Sequence, residues 1–360
     1  MPSTTHPEFY AATEGLEVAR AFSSAIRGKT AMVTGVNIKG IGFSTAEALA
    51  SQSPEHLIVT GRNPAKLQEC VDSLKAKYPD VDCRTLRMDL SSQKDVRAAA
   101  AEFLSWTDVP KLNILINSAG VGQLRERTLS EDGIEMHLAT NHLGHFLFTN
   151  LVLPKLVKAS EAGPKGATRV VNVSAGSVFH TGMRFSDMFF EKKNKDLPDE
   201  ERPSEEVFAM WGYSDIGEKT YLALDGYNRS KAANVLFGIG ANRRWYDKHG
   251  IVSLAVHPGV IETELVRNFP AESLKAIGWK SDNRKYILKT QGAGASTSLV
   301  AALDPKLGEG LGQTVNGKEN YGAMLEDCQI TEKAHPLAVS SEHAERLWKV
   351  SEELVKQEFN

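Results

Sequence analysis

Cysteine is scarce in this chain: Cys70, Cys83 and Cys328 are the three in 360 residues, and none belongs to a CxxC pair. That excludes a disulfide framework and a cysteine-built zinc site, and it fits a reducing compartment. An excess of charge of one sign is also missing. The formal net charge is −3, which calls for neither nucleic acid nor an anionic membrane as partner. No apolar run approaches the roughly 20 residues of a membrane span. The opening MPSTTHPEFYAATEG has no apolar core of the kind a signal peptide carries. A cytoplasmic location is therefore expected. Internal repeats are absent. The sequons Asn172-Val-Ser174 and Asn228-Arg-Ser230 fall in an expected buried strand and inside a helical motif, so no glycan is read from them.

What is present is an ordinary globular composition, 41% apolar and 24% charged, long enough for one large or two small domains. Short apolar strands alternate with helical patterns. Strands are expected at Thr30–Thr34, His56–Thr60, Arg84–Met88, Leu112–Ile116, Thr168–Val173 and Ile251–His257, with a last one near Tyr321–Leu325. Helices are expected from Phe43 to Ser51, Pro64 to Tyr78, Gly133 to Val157, Tyr227 to Tyr246, Gly292 to Leu303 and Glu342 to Lys356. Such alternation predicts an α/β fold, a Rossmann-type doubly wound parallel sheet. Ligands of these sheets lie outside the carboxyl ends of the strands.

The candidate residues gather at those ends. After the first strand comes a loop with Gly35, Asn37, Lys39, Gly40, Ile41 and Gly42, followed by a helix. Strand, glycine loop and helix together make a phosphate cradle, because glycine lets the backbone approach a pyrophosphate and the helix N-terminus offers free N–H groups. Arg62 closes the second strand, 20 residues past Gly42, where such folds read the adenosine ribose. An acidic residue there suits NAD; Arg62, with Lys39 nearby, suits the 2′-phosphate of NADP(H). Small residues, Asn117-Ser118-Ala119-Gly120, end the fourth strand and allow a ligand to lie across it. Tyr227 and Lys231 stand at i and i+4 on one helix face. An amine beside a phenol favours the phenolate, so the spacing predicts a lowered tyrosine pKa and a usable proton donor. His142 and His145 have no further ligand at metal spacing. They are read as packed or interfacial, and no metal is expected.

One stretch interrupts the alternation. Residues 178–224 contain no recognisable sheet strand, but they carry Phe179, Phe185, Phe189, Phe190, Phe208, Trp211, Tyr213 and Tyr221. A long aromatic-rich connection argues against disorder. The reading is a lid or wall over the substrate, with the charged runs 191–196 and 199–202 facing water.

Taken jointly, the glycine loop, Asp89, NSAG at 117–120, Asn141, YNRSK at 227–231 and PGVIET at 258–263 resemble the short-chain dehydrogenase/reductase family, and within it the retinol-dehydrogenase-like carbonyl reductases common in fungi. The resemblance spans roughly residues 28–265. It implies Tyr227 as general acid, Lys231 on the nicotinamide ribose, and Asn141 holding a water of the proton relay. It places Asp89 and Leu90 at the adenine, Asn117, Ala119 and Gly120 along the middle of the cofactor, and Pro258, Val260 and Thr263 at the nicotinamide end. The glycine loop has one residue more than the usual pattern. The family usually has Ser-Ser after the fifth strand, the second being catalytic. An ungapped reading puts Ala175 there, a one-residue deletion gives the role to Ser174, and Ser177 is a third candidate.

The implied function is NADPH-dependent hydride transfer between nicotinamide and the carbonyl or alcohol of a small, mostly apolar or aromatic molecule. A non-redox reaction on the same fold and a non-enzymatic NADP(H) sensor are the alternatives. A homodimer is left open. The expected organisation is an N-terminal extension, 1–27, a single dehydrogenase/reductase domain, 28–330, with its insertion at 178–224 and a substrate loop at 264–290, and a helical tail, 331–360.

Overall fold

The computed structural model describes residues 3–359 apart from 280, 283, 285 and 310. Residues 1, 2 and 360 of the expected terminal segments, and 280, 283 and 285 of the expected substrate loop, lie outside the described residues.

Strands β1 (Thr30–Thr34), β2 (His56–Gly61), β3 (Asp82–Arg87), β4 (Ile114–Asn117), β5 (Thr168–Val173), β6 (Ile251–His257), β9 (Met324–Glu326) and β10 (Gln329–Ile330) form one sheet; β7 (Val260–Ile261) and β8 (Leu288–Lys289) pair separately. The sheet order is β10-β9-β6-β5-β4-β1-β2-β3. Every pairing is parallel except β10 on β9. The inner strands β1, β4 and β5 are buried along their whole length. Their unbroken apolar runs are what two helix-covered faces require. One core holds Phe103, Phe146, Phe237 and Trp348, and the other holds Val18, Leu49, Leu57 and Leu299.

The expected doubly wound sheet is present, with boundaries shifted by a residue or two. The last strand begins at Met324 rather than Tyr321 and is followed by a short antiparallel partner. The helix expected over 133–157 is three pieces: a π-helical turn Leu138–Leu143, then helices Gly144–Leu151 and Leu153–Ser160. The helix carrying Tyr227 runs Ala223–His249, seven residues beyond its expected extent when both ends are counted. Gly250, at φ 69°, ends it in the left-handed conformation that glycine adopts most easily.

Among the described residues, 178–224 holds no sheet strand, only short turns, helix Glu205–Met210 and the first two residues of the helix that carries Tyr227. Helix Ser341–Val355 packs its Trp348 against Phe146, Phe237 and Trp245. No helix of the described residues is long and apolar enough to cross a membrane.

Candidate active site

The glycine loop is shaped for close approach. Gly35 has φ +71°, and a Cβ there would fall 2.4 Å from the Ala119 Cα. A Cβ on Gly42 would lie 2.9 Å from the Gly35 carbonyl oxygen. Gly40 caps helix Ile41–Ala50 without any side-chain cap, and of the first-turn amides that of Phe43 turns back to the Gly40 carbonyl at 3.0 Å. The buried Asn37 Oδ1 beside this turn has no partner among the described residues. A backbone cradle, an uncapped helix start and an orphaned polar atom fit a pyrophosphate. Lys39 and Arg62 are exposed near this edge.

Sequence reasoning missed a third cation. Lys66, in the first turn of helix Pro64–Lys77, reaches Glu264 with Nζ at 3.1 and 3.2 Å from the two carboxylate oxygens. Arg267 adds a contact of 3.0 Å. The sheet order puts β5, β4 and β1 between β6, which precedes Glu264, and β2, which precedes Lys66. This ion pair therefore straps the segment after β6 across the groove at the strands' carboxyl ends. Its length in sequence, 198 residues, explains why no local pattern revealed it.

Asp89 is half-buried and accepts from the backbone and hydroxyl of Ser91 at 3.0 and 2.7 Å. Leu90 is buried, and its carbonyl would lie 2.3 Å from a Cβ on Gly144. Asn117 is buried and donates to Asn172 Oδ1 at 2.9 Å. Pro258, Val260 and Thr263 follow β6, with the Thr263 hydroxyl accepting from Leu265 N–H at 3.3 Å.

Tyr227 and Lys231 are brought together as expected, with Lys231 Nζ 5.7 Å from the Tyr227 ring centroid. Lys231 donates to the Val173 carbonyl at 2.9 Å. A Cβ on Gly120 would stand 3.4 Å from Lys231 Nζ, so glycine keeps that amine reachable. The expected direction of the tyrosine shift is corrected. Burial pushes the Tyr227 phenol up and the Lys231 amine down to about 8. Desolvation disfavours both charged forms.

Asn141 sits on the π-helical turn, fully buried. Its Oδ1 accepts from Val121 N–H at 2.7 Å, while its Nδ2 donates to the Val121 carbonyl at 3.1 Å and to Ser230 Oγ at 2.9 Å. Ser230 Oγ in turn donates to the Tyr227 carbonyl at 2.7 Å. The side chain of Asn141 thus ties the loop after β4 to the Tyr227 helix. Behind it, His145 contacts the Asn141 carbonyl and Thr34. Burial lowers the imidazole pKa of His145 to about 4 and of His142 to about 3, so both are packed, neutral histidines.

The two candidate serines differ. The Ser174 hydroxyl donates to the Lys231 carbonyl at 2.7 Å. The Ser177 hydroxyl is buried with no partner among the described residues. Ala175 lies between them in extended backbone.

On the substrate side, Phe269 is 6.4 Å from Tyr227 and 6.4 Å from Trp211, centroid to centroid. His137, paired with Glu135 at 2.8 Å, lies 6.4 Å from the Tyr227 ring on another side. His137, Tyr221 and Asn141 all hold the loop 121–124, Tyr221 by donating to the Leu124 carbonyl at 2.8 Å. The charged runs of the insertion do face water, except Asn194 and Glu201, which are buried. Among the described residues no cluster of His, Cys, Asp and Glu could hold a metal.

Comparison with known proteins bears on the family and the fold. The family model described as short chain dehydrogenase matches residues 29–186. An oxidoreductase of Fusarium equiseti, named fscI, is 38% identical over 251 residues, covering 70% of this chain and 94% of that one. Retinol dehydrogenase 12 of Bos taurus is 34% identical over 91% of this chain and 86% of its own length. The NADPH-bound carbonyl reductase from chicken fatty liver shares the fold at TM-score 0.56, with 22% identity over 84% of this chain and 93% of that one. With relatives this similar over most of its length, the chain belongs to the short-chain dehydrogenase/reductase family and is an NAD(P)-dependent oxidoreductase.

Proposed function

We propose that the chain is an NADPH-dependent reductase of small apolar or aromatic carbonyl compounds. The observation that carries this reading is the placement of Tyr227. Its ring lies beside the buried Lys231 amine and against Phe269, which in turn meets Trp211. A phenol kept protonated by burial can give its proton to a carbonyl oxygen, and the adjoining rings offer the apolar lining that small-molecule pockets generally have.

Gly35, Gly40, Gly42 and Asn37 would hold the pyrophosphate, and Lys231 the nicotinamide ribose. Arg62, with Lys39 and Lys66, would take the 2′-phosphate. The nicotinamide, when bound, supplies the hydride. Lys231, with its pKa lowered to about 8 and its amine close to Gly120, can replace the proton that Tyr227 gives to the substrate oxygen. Ser177 is the serine with an uncommitted hydroxyl, so it is assigned to hold the substrate carbonyl. Removing such a donor lowers kcat on the order of a hundredfold.

The test is NADPH oxidation against a panel of aryl and alkyl ketones and aldehydes. Tyr227→Phe should abolish reduction while NADPH still binds. Turnover retained in that variant would sink the assignment and favour non-redox chemistry. Ser177→Ala with unchanged kcat would show that Ala175 has replaced the serine. Arg62→Ala should weaken NADPH by about tenfold or more and leave NADH nearly unchanged, as expected for a lost charge-assisted contact. Equal wild-type affinity for the two cofactors would overturn the NADPH preference.

A further inference from the structure

Thr34, His145 and Asn141 form a buried chain whose hydrogen-bond polarity can be worked out from its ends. Thr34 Oγ1 accepts from Ser118 N–H at 2.9 Å and from Ala119 N–H at 3.0 Å. A hydroxyl has two acceptor sites and one proton. Both acceptor sites are therefore filled, and the proton can go only toward His145 Nε2, 2.9 Å away. That nitrogen must be the bare acceptor. In a neutral imidazole the proton then sits on Nδ1, which faces the Asn141 main-chain carbonyl at 3.1 Å. Burial lowers the pKa of His145 to about 4, so this tautomer holds throughout the working range of pH. All three residues are buried.

The position of the chain gives it a role. Thr34 ends β1 where the glycine loop begins, and Ser118 and Ala119 follow β4. The side chain of Asn141 is engaged by Val121 and Ser230. Its main-chain carbonyl is engaged by His145. The π-helical turn Leu138–Leu143 gives that carbonyl its setting.

We propose that His145 is a positioning residue for the proton transfer: as its Nδ1–H tautomer, fixed by Thr34, it orients and polarises the carbonyl of Asn141, whose side chain is tied through Ser230 to the Tyr227 helix. The proposal rests on the reductase reading of Tyr227 and Lys231 given above. It separates two halves of one side chain. The Nε2 half serves the cofactor-side strands through Thr34. The Nδ1 half serves the proton relay through Asn141.

Two substitutions divide those halves. His145→Asn keeps a donor at the δ position and loses the partner of Thr34. His145→Gln keeps an acceptor at the ε position and loses the donor to Asn141. The expected result is that His145→Gln lowers kcat by about tenfold with the NADPH Kd within about twofold of wild type. It should also displace the pH limb of kcat that reports Lys231. His145→Asn should recover most of kcat and bind NADPH more weakly. Equal kcat losses in both variants, or a loss that merely follows NADPH affinity, would overturn the proposal, as would no change in either. A further measurement needs no variant. The imidazole nitrogen resonances of wild-type His145 should show a protonated Nδ1 and a bare Nε2 from about pH 6 to 9, a window above the pKa of about 4 to which burial lowers it. An Nε2–H tautomer would overturn it whether or not the variants fold. Failure of the reductase reading would be seen separately, as turnover by Tyr227→Phe with the tautomer intact.

Discussion

Residues 178–224 and residues 264–290 both border Tyr227, and they are fastened to the rest of the molecule in different ways. The insertion is clamped by a buried ionic network. Asp225, two residues before Tyr227, accepts from Arg229 at 2.9 Å and from Arg184 at 3.5 Å. Arg184 also reaches Asp187 and Asn194 at 2.5 Å each and lies over the Phe190 ring at 4.6 Å. Arg229 donates to the Gly182 and Glu201 carbonyls at 3.0 and 2.6 Å. Glu201 accepts from the backbone N–H groups of Phe185 and Ser186. The side chains of Arg184 and Asp225 are each 1% exposed. The segment after β6 is held instead by Lys66 and Glu264, whose side chains are 50% and 33% exposed. Lifting the insertion would part Arg184 from Asp225 and leave the Arg229 guanidinium in the interior without the Gly182 and Glu201 carbonyls, a large cost. Opening the strap exposes charges that water already solvates, a small one. The insertion is thus a wall fixed to the Tyr227 helix, and the strap is the part that can yield to a cofactor.

The comparison breaks most visibly at Asp225. Asp225→Asn leaves Arg184 and Arg229 short of their shared carboxylate. Removing one partner of a buried ion pair costs about 3–5 kcal/mol. The urea midpoint should fall accordingly, and Tyr227, two residues away on the same helix, should lose activity with it. A loss below about 1 kcal/mol would put the clamp on the same footing as a surface pair. The clamp should also be insensitive to salt, because buried pairs are screened little.

Much of this was legible in the sequence, and the limits have physical causes. The sheet was readable because parallel strands buried on both faces leave unbroken apolar runs such as Thr30–Thr34 and Thr168–Val173. The glycine loop, Tyr227 and Lys231 stood out in the sequence through local spacing, whereas Asn141 stood out only through the family resemblance. The clamp was half visible, since Asp225 and Arg229 stand at i and i+4, but Arg184 lies 41 residues from Asp225. The strap was invisible for the same reason. The tyrosine shift was misjudged because spacing reports the neighbouring charge and says nothing of burial. The π-helical turn at Leu138–Leu143 leaves no pattern that distinguishes it from an α-helix.

The second way to sharpen the comparison is at the contact between the two regions. Phe269, after the strap, meets Trp211 of the insertion and Tyr227 itself, each at 6.4 Å. Such ring pairs are worth about 0.5–1.5 kcal/mol beyond buried area. Phe269→Leu keeps an apolar side chain and loses the ring. KM for aryl ketones should rise by roughly threefold to tenfold, with alkyl substrates less affected and NADPH affinity unchanged. An equal change for aryl and alkyl substrates would remove Phe269 from the substrate wall.

The smallest effect belongs to the strap. Hydrogen bonding to Lys66 holds the Glu264 carboxyl below its usual value of 4.5, with Lys66, Arg267 and Lys39 adding charge attraction. A carboxyl depressed in the folded state contributes its stability above 4.5, and that contribution is lost as pH falls through the lower folded value. An exposed pair of this kind is worth at most about 1 kcal/mol. Glu264→Gln should therefore speed NADPH release by only about twofold to fivefold at low ionic strength. The Debye length shrinks to about 3 Å at 1 M salt, so the difference between wild type and variant should vanish there. Wild-type release should also quicken as pH falls below 4.5, while the variant stays flat over the same range. Stopped-flow displacement of NADPH, followed by its fluorescence across salt and pH, measures all three. Identical release rates at low salt would show that Lys66 and Glu264 meet without holding anything closed.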